Sequence, residues 1–513
     1  MPPIGPGSND LNGDGIPDVC QDQSCQNLTT GVNYPTIAAA IGAAQNGHHL
    51  RAGALAFAIT PTIDFLGKQV LLDSGGGIVQ PTVGLINMTN NADLATAAGQ
   101  TLAVKGTLRS ANAAVADVAA GSFVLNPNAM LRARLGSTVS IDTVNGSTLD
   151  GLTYVEANAT LNFTGAVTNI KTVTVVANGT FSTSDLFTNG AIFNTLNSTV
   201  IGTNLTNSGT MNLPDVSLLA DLLDVASDGL VTGYGEFYTD LTNAGDVIFT
   251  GNTTLVGDVL NNATGRIYLQ IGTTTLIGSL TNNGAIIGNF GLRAAGRLDL
   301  VGNFVAGAAA TLRLPQAGTV FSITGAYDNA INDHTRFDLR AATLELRGAL
   351  VPQLLEVMSA DGGPVASGLD PNQPGNFPIG TLRIGADAPA TVQLVDNRDN
   401  DGLGQGTPEA IYVDTLRIDA GATLDNPTYK IYYNTLVNNG TVTNPANLVR
   451  IGTRGDLDHD GDVDLADFVL FADCLNGPGV AYPVGCDAAD LESPADGDVD
   501  LADFAAFQAA FPG

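Results

Sequence analysis

A short β-rich repeat through the middle of the chain limits its fold more than any other feature. "LTNSGTMNL" at Leu205, "LTNAGDVIF" at Leu241, "LNNATGRIYL" at Leu260, "LTNNGAIIG" at Leu280 and "LVNNGTVTN" at Leu436 are variants of one theme. Gly245, Gly265 and Gly284 are 20 and 19 residues apart, and Asn158 and Asn178 are 20 apart. A unit of about 20 residues cannot bury a core by itself, so it must stack on copies of itself. The pattern predicts a mainly β fold, a right-handed parallel β-solenoid with one repeat per coil, within residues 34–454. Glycine and asparagine suit its corners because both tolerate left-handed backbone. A helix-like stretch is expected at Leu218 to Val225, in an insertion carrying Asp215, Asp221, Asp224 and Asp228.

The start of the repeat reads as a cap. In "YPTIAAAIGAAQNGHHL", Tyr34 to Leu50, Ile37, Ala40, Ile41 and Ala44 recur on one helical face. A helix there would cover the open end of the first coil, whose backbone groups otherwise lack partners. With "IDFLGKQVLL", Ile63 to Leu72, the stretch resembles the opening of pectin-lyase-type right-handed β-helices. Segments between Leu339 and Val442, among them "LRAATLELRG", "VQLVDNRDNDG" and "YKIYYNTLVNNGTV", resemble the terminal part of secreted repeat proteins of planctomycete-like bacteria. That resemblance implies a surface context, a dockerin-like tail and no defined activity.

Charge divides the chain. Fifty Asp and Glu against 20 Lys and Arg give a net charge of −30, which disfavours nucleic acid and anionic lipid as partners and favours cations. Residues 455–513 hold 14 acidic residues and no Lys or Arg. Here "DLDHDGDVDLADF" begins at Asp456 and "DGDVDLADF" at Asp496. Calcium takes six to eight oxygen ligands, and a twelve-residue loop can offer them from alternating positions. Asp456, Asp458 and Asp460 fall at positions 1, 3 and 5, Gly461 at the sharp turn, Asp462 at 7, Asp464 at 9 and Asp467 at 12. Phe468, Phe471, Ala472 and Leu475 then form the apolar face of a following helix, repeated by Phe504, Phe507 and Phe511. The second loop is irregular: counted back from Asp503, Glu492 and Pro494 fall at positions 1 and 3. Either Asp490 and Glu492 reach in from a longer loop, with Asp496, Asp498, Asp500 and Asp503 completing the set, or this site is weak.

The duplicated loop–helix unit resembles a type I dockerin, which implies calcium as cofactor and a cohesin-like partner. By that resemblance the partner surface would include loop positions 10 and 11, Leu465–Ala466 and Leu501–Ala502, which offer no hydroxyls. Residues 1–33 form a separate N-terminal segment. In it "DLNGDGIPDVC" places Asp10, Asn12, Asp14 and Asp18 at alternating spacing and resembles one calcium-binding thrombospondin type 3 repeat. The four cysteines make two local pairs, Cys20 with Cys25 and Cys474 with Cys486, expected as disulfides in an oxidising compartment. "MPPIGPGSND" lacks a signal-peptide pattern, so export to the cell surface or beyond is expected from these other features. No apolar run of transmembrane length occurs.

Catalytic chemistry is not expected. Asp73 stands alone in sequence, and Arg132 and Arg134 share a strand face without an acidic pair. His48 and His49 point to opposite sides, and His459 occupies a non-ligand loop position. Tryptophan is absent, and the tyrosines of "YKIYYN" read as edge or core residues rather than a sugar platform. The sequence reads as a non-catalytic extracellular structural or adhesive solenoid held by a calcium-dependent tail. The alternatives are a polysaccharide-active β-helix enzyme with a dockerin, and a filament or surface-layer subunit contacting copies of itself.

Overall fold

The computed structural model describes residues 24–511 except Asn90, Ile271, 289–295, 349–351, Asp387, 405–406, 453–454, 459–462, 484–485 and 493–496. The expected fold class is borne out: a parallel β-solenoid of about 18 turns, with a few short helices in the C-terminal module. By contacts the chain divides into two compact units, Met1–Val259 with Thr264–Ile267, and Leu260–Ala263 with Tyr268–Gly513.

In the first unit, a short antiparallel layer closes the solenoid. Strand β1 (Cys25–Asn27) pairs antiparallel with β2 (Val32–Tyr34) and with β3 (His49–Ala52). The helix α1 (Ile37–Ala43) lies between β2 and β3 and buries Ile37, Ala40 and Ile41. Its N-cap Thr36 accepts a hydrogen bond from the Ala39 N–H. At its other end Lys68 Nζ donates to the carbonyls of Ile41, Gly42 and Ala44 at 2.8, 2.6 and 2.7 Å, which satisfies carbonyls the helix leaves open. A second helix, α2 (Ala54–Ile59), buries Leu55, Ala56 and Phe57.

Beyond the cap most coils of this unit contribute three strands, each paired in parallel with a strand one coil on. Leu152, Thr172, Ile192, Thr210 and Leu230 stand in one such register. Buried and half-buried residues alternate along these strands, as period-2 side-chain geometry requires. Phe163, Phe181, Phe187 and Phe193 are buried and pack at tilted or edge-to-face angles with ring centroids 5.2–5.7 Å apart. The corners at Asn158 and Asn178 are left-handed, with φ of 54° and 64°.

The asparagines of the "TN" motifs behave differently from those corners. Asn169, Asn189 and Asn207 are fully buried. Asn169 Nδ2 donates to Asn189 Oδ1 at 2.7 Å, and Asn189 Nδ2 donates to Asn207 Oδ1 at 2.7 Å. Backbone carbonyls take the remaining donors, for example Asn189 Nδ2 to Thr210 O at 3.2 Å. An amide carries both donor and acceptor, so identical residues one coil apart satisfy each other.

The expected helix at Leu218–Val225 is not formed. Thr210–Val225 is a continuous strand paired on both sides in parallel register. Its Leu–Leu pairs imitate helical spacing, but the strand bulges between Leu213 and Val216 and between Leu219 and Leu222. Each bulge resets which residues face inward.

In the second unit Val320, Thr343, Thr381, Thr415 and Thr435 continue a parallel register. Long loops interrupt the coils between Thr343 and Thr415. Tyr412 and Tyr432 stack in the interior with centroids 4.8 Å apart, so Tyr432 belongs to the core. The same unit contains the helices α3 (Leu465–Cys474) and α4 (Leu501–Ala510).

Candidate metal centres in the C-terminal module

Helices α3 and α4 meet through their aromatic faces. Phe471 stacks on Phe507 at 5.1 Å, and Phe468 lies 6.0 Å from both Phe504 and Phe507. Phe471 and Phe507 are buried with Val463, Ala489, Leu491 and Val499. Leu475, expected on this face, is 44% exposed. The disulfide Cys474–Cys486 is present and ties the end of α3 to the connection before α4. This core is small, and the aspartates around it do much of the organising.

Asp467 is fully buried in the first turn of α3. Its Oδ1 accepts the N–H groups of Leu457 and Asp458 at 2.5 and 3.0 Å, and its Oδ2 accepts that of Asp464 at 2.8 Å. Asp503 does the same in α4: Oδ1 accepts from Leu491 and Glu492 at 2.5 and 2.8 Å, and Oδ2 from Asp500 at 2.8 Å. Asp464 and Asp500 in turn cap their helices by accepting from the N–H of Ala466 and Ala502, completing two capping boxes. One carboxylate thus fixes both ends of each loop.

This equivalence resolves the irregular second loop. Leu491 and Glu492 take the places of Leu457 and Asp458, so Asp490 corresponds to Asp456. The second loop is two residues longer, with the extra length between Glu492 and Asp500. Pro494 lies outside the described residues. Asp490 Oδ2 accepts the Gly497 N–H at 2.9 Å, while its buried Oδ1 has no hydrogen-bond partner.

Two groups of carboxylate oxygens gather here, each within 4.8 Å of one another: Asp456, Asp458 and Asp467, and Asp498, Asp500 and Asp503. The donors are all oxygen, which suits a hard divalent cation and offers no site selective for a soft metal. Asp460, Asp462 and Asp496 lie outside the described residues, as do Asp10, Asn12, Asp14, Asp18 and Cys20. Cys25 is a buried free thiol. Burial, assisted by the Asp73 charge, pushes it up to about 11, so it is protonated at neutral pH and a poor nucleophile.

Two isolated charges of the sequence have partners. Asp73 is bound by His49 and by Arg51, whose Nε donates to Oδ1 at 2.7 Å. His48 instead meets Asn27 at 2.8 Å. Arg132 pairs with Glu156 on the next coil. Coil stacking brings these residues together across more than 20 positions, where sequence proximity gives no sign. Both arrangements are structural ion pairs. No family model, curated protein or solved structure matches the chain.

Proposed function

We propose that this is a non-catalytic extracellular structural protein built on a β-solenoid, with the C-terminal module as a calcium-dependent, dockerin-like attachment device. The observation that carries this reading is the duplication of one loop–helix unit, each copy organised by a buried aspartate and presenting carboxylate oxygens as a group. The disulfide Cys474–Cys486 suits an oxidising compartment. In this reading calcium neutralises the gathered carboxylates and completes the fold of the module.

The attachment surface would centre on Leu465–Ala466 and Leu501–Ala502. Leu465 and Leu501 open equivalent helices and are 70% and 73% exposed, with Val469 also 58% exposed. Exposed leucines at matched positions suit a protein partner of cohesin type. The test is binding of the full chain to a panel of cohesin-type domains, with calcium and with chelator. Calcium-dependent capture that the double substitution Leu465→Ser, Leu501→Ser abolishes is the expected result. Self-association lost with the same substitutions, measured by sedimentation, would make the partner another copy of the chain. Neither behaviour would remove the attachment role.

A further inference from the structure

A third group of carboxylates lies outside the tail, in one of the long loops of the second unit. Asp399, Asp401 and Glu409 bring oxygens within 4.8 Å of one another. Asp399 and Asp401 sit in the loop after the strand Thr391–Val395, and Glu409 begins the strand Glu409–Ile418.

The loop is held in place from several directions. Glu356 Oε1 accepts the N–H groups of Asn397 and Arg398 at 2.6 and 2.7 Å. The Arg398 guanidinium makes a two-pronged pair with Asp328 at 2.7 and 2.6 Å. Asn400 Nδ2 donates to the carbonyls of Asn329 and Ile331 at 2.9 and 2.8 Å. The one arginine of the loop is therefore turned to Asp328. The loop's alternating Asn397, Asp399 and Asp401, followed by Gly402, repeat the spacing of Asp456, Asp458, Asp460 and Gly461 in the tail. Gly402 adopts φ 73°, which a residue with a side chain would resist.

Glu409 supplies the independent observation. It is only 2% exposed. Its Oε1 accepts the N–H groups of Asn400 and Asp401 at 2.7 and 2.9 Å, but its buried Oε2 has no hydrogen-bond partner. Asp401 Oδ2 is likewise buried without one. A buried carboxylate oxygen left without a donor is costly, and here two such oxygens belong to the same group. A cation would relieve both.

We propose that Asp399, Asp401 and Glu409 form a binding site for a hard divalent cation of the calcium class, locking residues 396–404 onto the solenoid. The ligand set is entirely oxygen, and three carboxylates exceed the charge of one such ion, as in many calcium sites. The site is independent of the tail, because its residues and their supports all lie between Asp328 and Glu409.

The test is hydrogen exchange on the full chain, reading the peptide that spans residues 396–411, in chelator and in calcium. Slowing on the order of tenfold is expected once calcium exceeds its Kd by about ten. Glu409→Gln keeps an oxygen for the Asn400 and Asp401 N–H groups, and Asp399→Asn keeps one for Gly402. Both should abolish the calcium response of this peptide and lose one bound calcium ion per chain by native mass spectrometry, with the tail peptides responding as before. A wild-type peptide whose exchange is indifferent to millimolar calcium overturns the site, whatever the tail does. Variants that retain the full ion count overturn it too. A response here with an indifferent tail would instead sustain this site and defeat the attachment reading.

Discussion

The solenoid and the C-terminal module both bury polar side chains, and they satisfy them by opposite means. Asn169, Asn189 and Asn207 are neutral; Asn189 accepts from Asn169 and donates to Asn207, whose own amide donates to the carbonyls of Gly209 and Leu230. Identical residues one coil apart satisfy each other, and backbone carbonyls take the donors where the row ends. Asp467 and Asp503 are equally buried carboxylates, and backbone N–H groups donate to both oxygens of each. A carboxylate cannot donate, so stacking more carboxylates deepens the repulsion instead of relieving it. The solenoid pairs these amides from coil to coil, whereas the module gathers carboxylates that could hold a metal ion.

The largest effect that would sharpen this contrast is removal of divalent ions. In chelator, peptides covering α3 and α4 should lose most of their hydrogen-exchange protection, while peptides from Leu152 to Asn207 keep theirs. At calcium about 100–1,000 times its Kd, the linked stabilisation is about 2.7–4.1 kcal/mol, comparable to what a core this small supplies. A tail that stays protected in chelator would break the comparison at its root.

A similar loss, placed in the solenoid, should come from Phe181→Ala. The ring is fully buried and touches three other phenylalanines, so the cavity should cost about 3–5 kcal/mol. Chemical denaturation would report it, with the calcium response of the tail unchanged. Asn189→Ala should cost less, about 1–3 kcal/mol, by leaving Asn169 and Asn207 each short of a partner. If Asn189→Ala were neutral in denaturation, the ladder would be a consequence of coil spacing and not a source of stability.

The smallest expected effect is electrostatic and lies near the cap. Burial alone would raise Asp73, but the hydrogen bonds and charges of Arg51 and His49 outweigh it and hold the carboxyl below its usual range. A depressed folded-state value stabilises the protein above the unfolded carboxyl pKa of about 3.9 and is lost as pH falls through the folded value. Asp73→Asn should therefore lower thermal stability at neutral pH, and the difference from wild type should shrink progressively below about pH 4. A difference that persists unchanged at pH 2 would assign the loss to packing instead of charge.

Particular residues show where sequence was enough. The i, i+3, i+4 pattern of Ile37, Ala40 and Ile41 gave the cap helix because helical period and burial follow from local geometry. The 20-residue spacing gave the coils, because every coil must return the chain to the same place. At Leu218–Val225 the Leu–Leu pairs have helical spacing, yet the segment is a strand with two bulges. Nothing local distinguishes a corner Asn158 from an inward Asn169, so the buried "TN" ladder is not legible in the sequence. The grouping of Asp399 and Asp401 with Glu409 is not legible in "VDNRDNDG", because Glu409 arrives from the next strand after a connection without a fixed count.

The amino-acid sequence by itself determined the period, the β class, the capped start and the acidic duplication at the end. These are repeating or local properties, and each coil or loop states them afresh. Tertiary structure decided which distant residues meet: Asp73 with His49 and Arg51, Arg132 with Glu156, Asp490 in the place of Asp456, and Glu409 beside Asp399 and Asp401. The physical reason is that stacking sets contact by height along the solenoid and loops set it by closure. Insertions such as the two extra residues after Glu492 change the sequence count without changing which carboxylate fixes the loop.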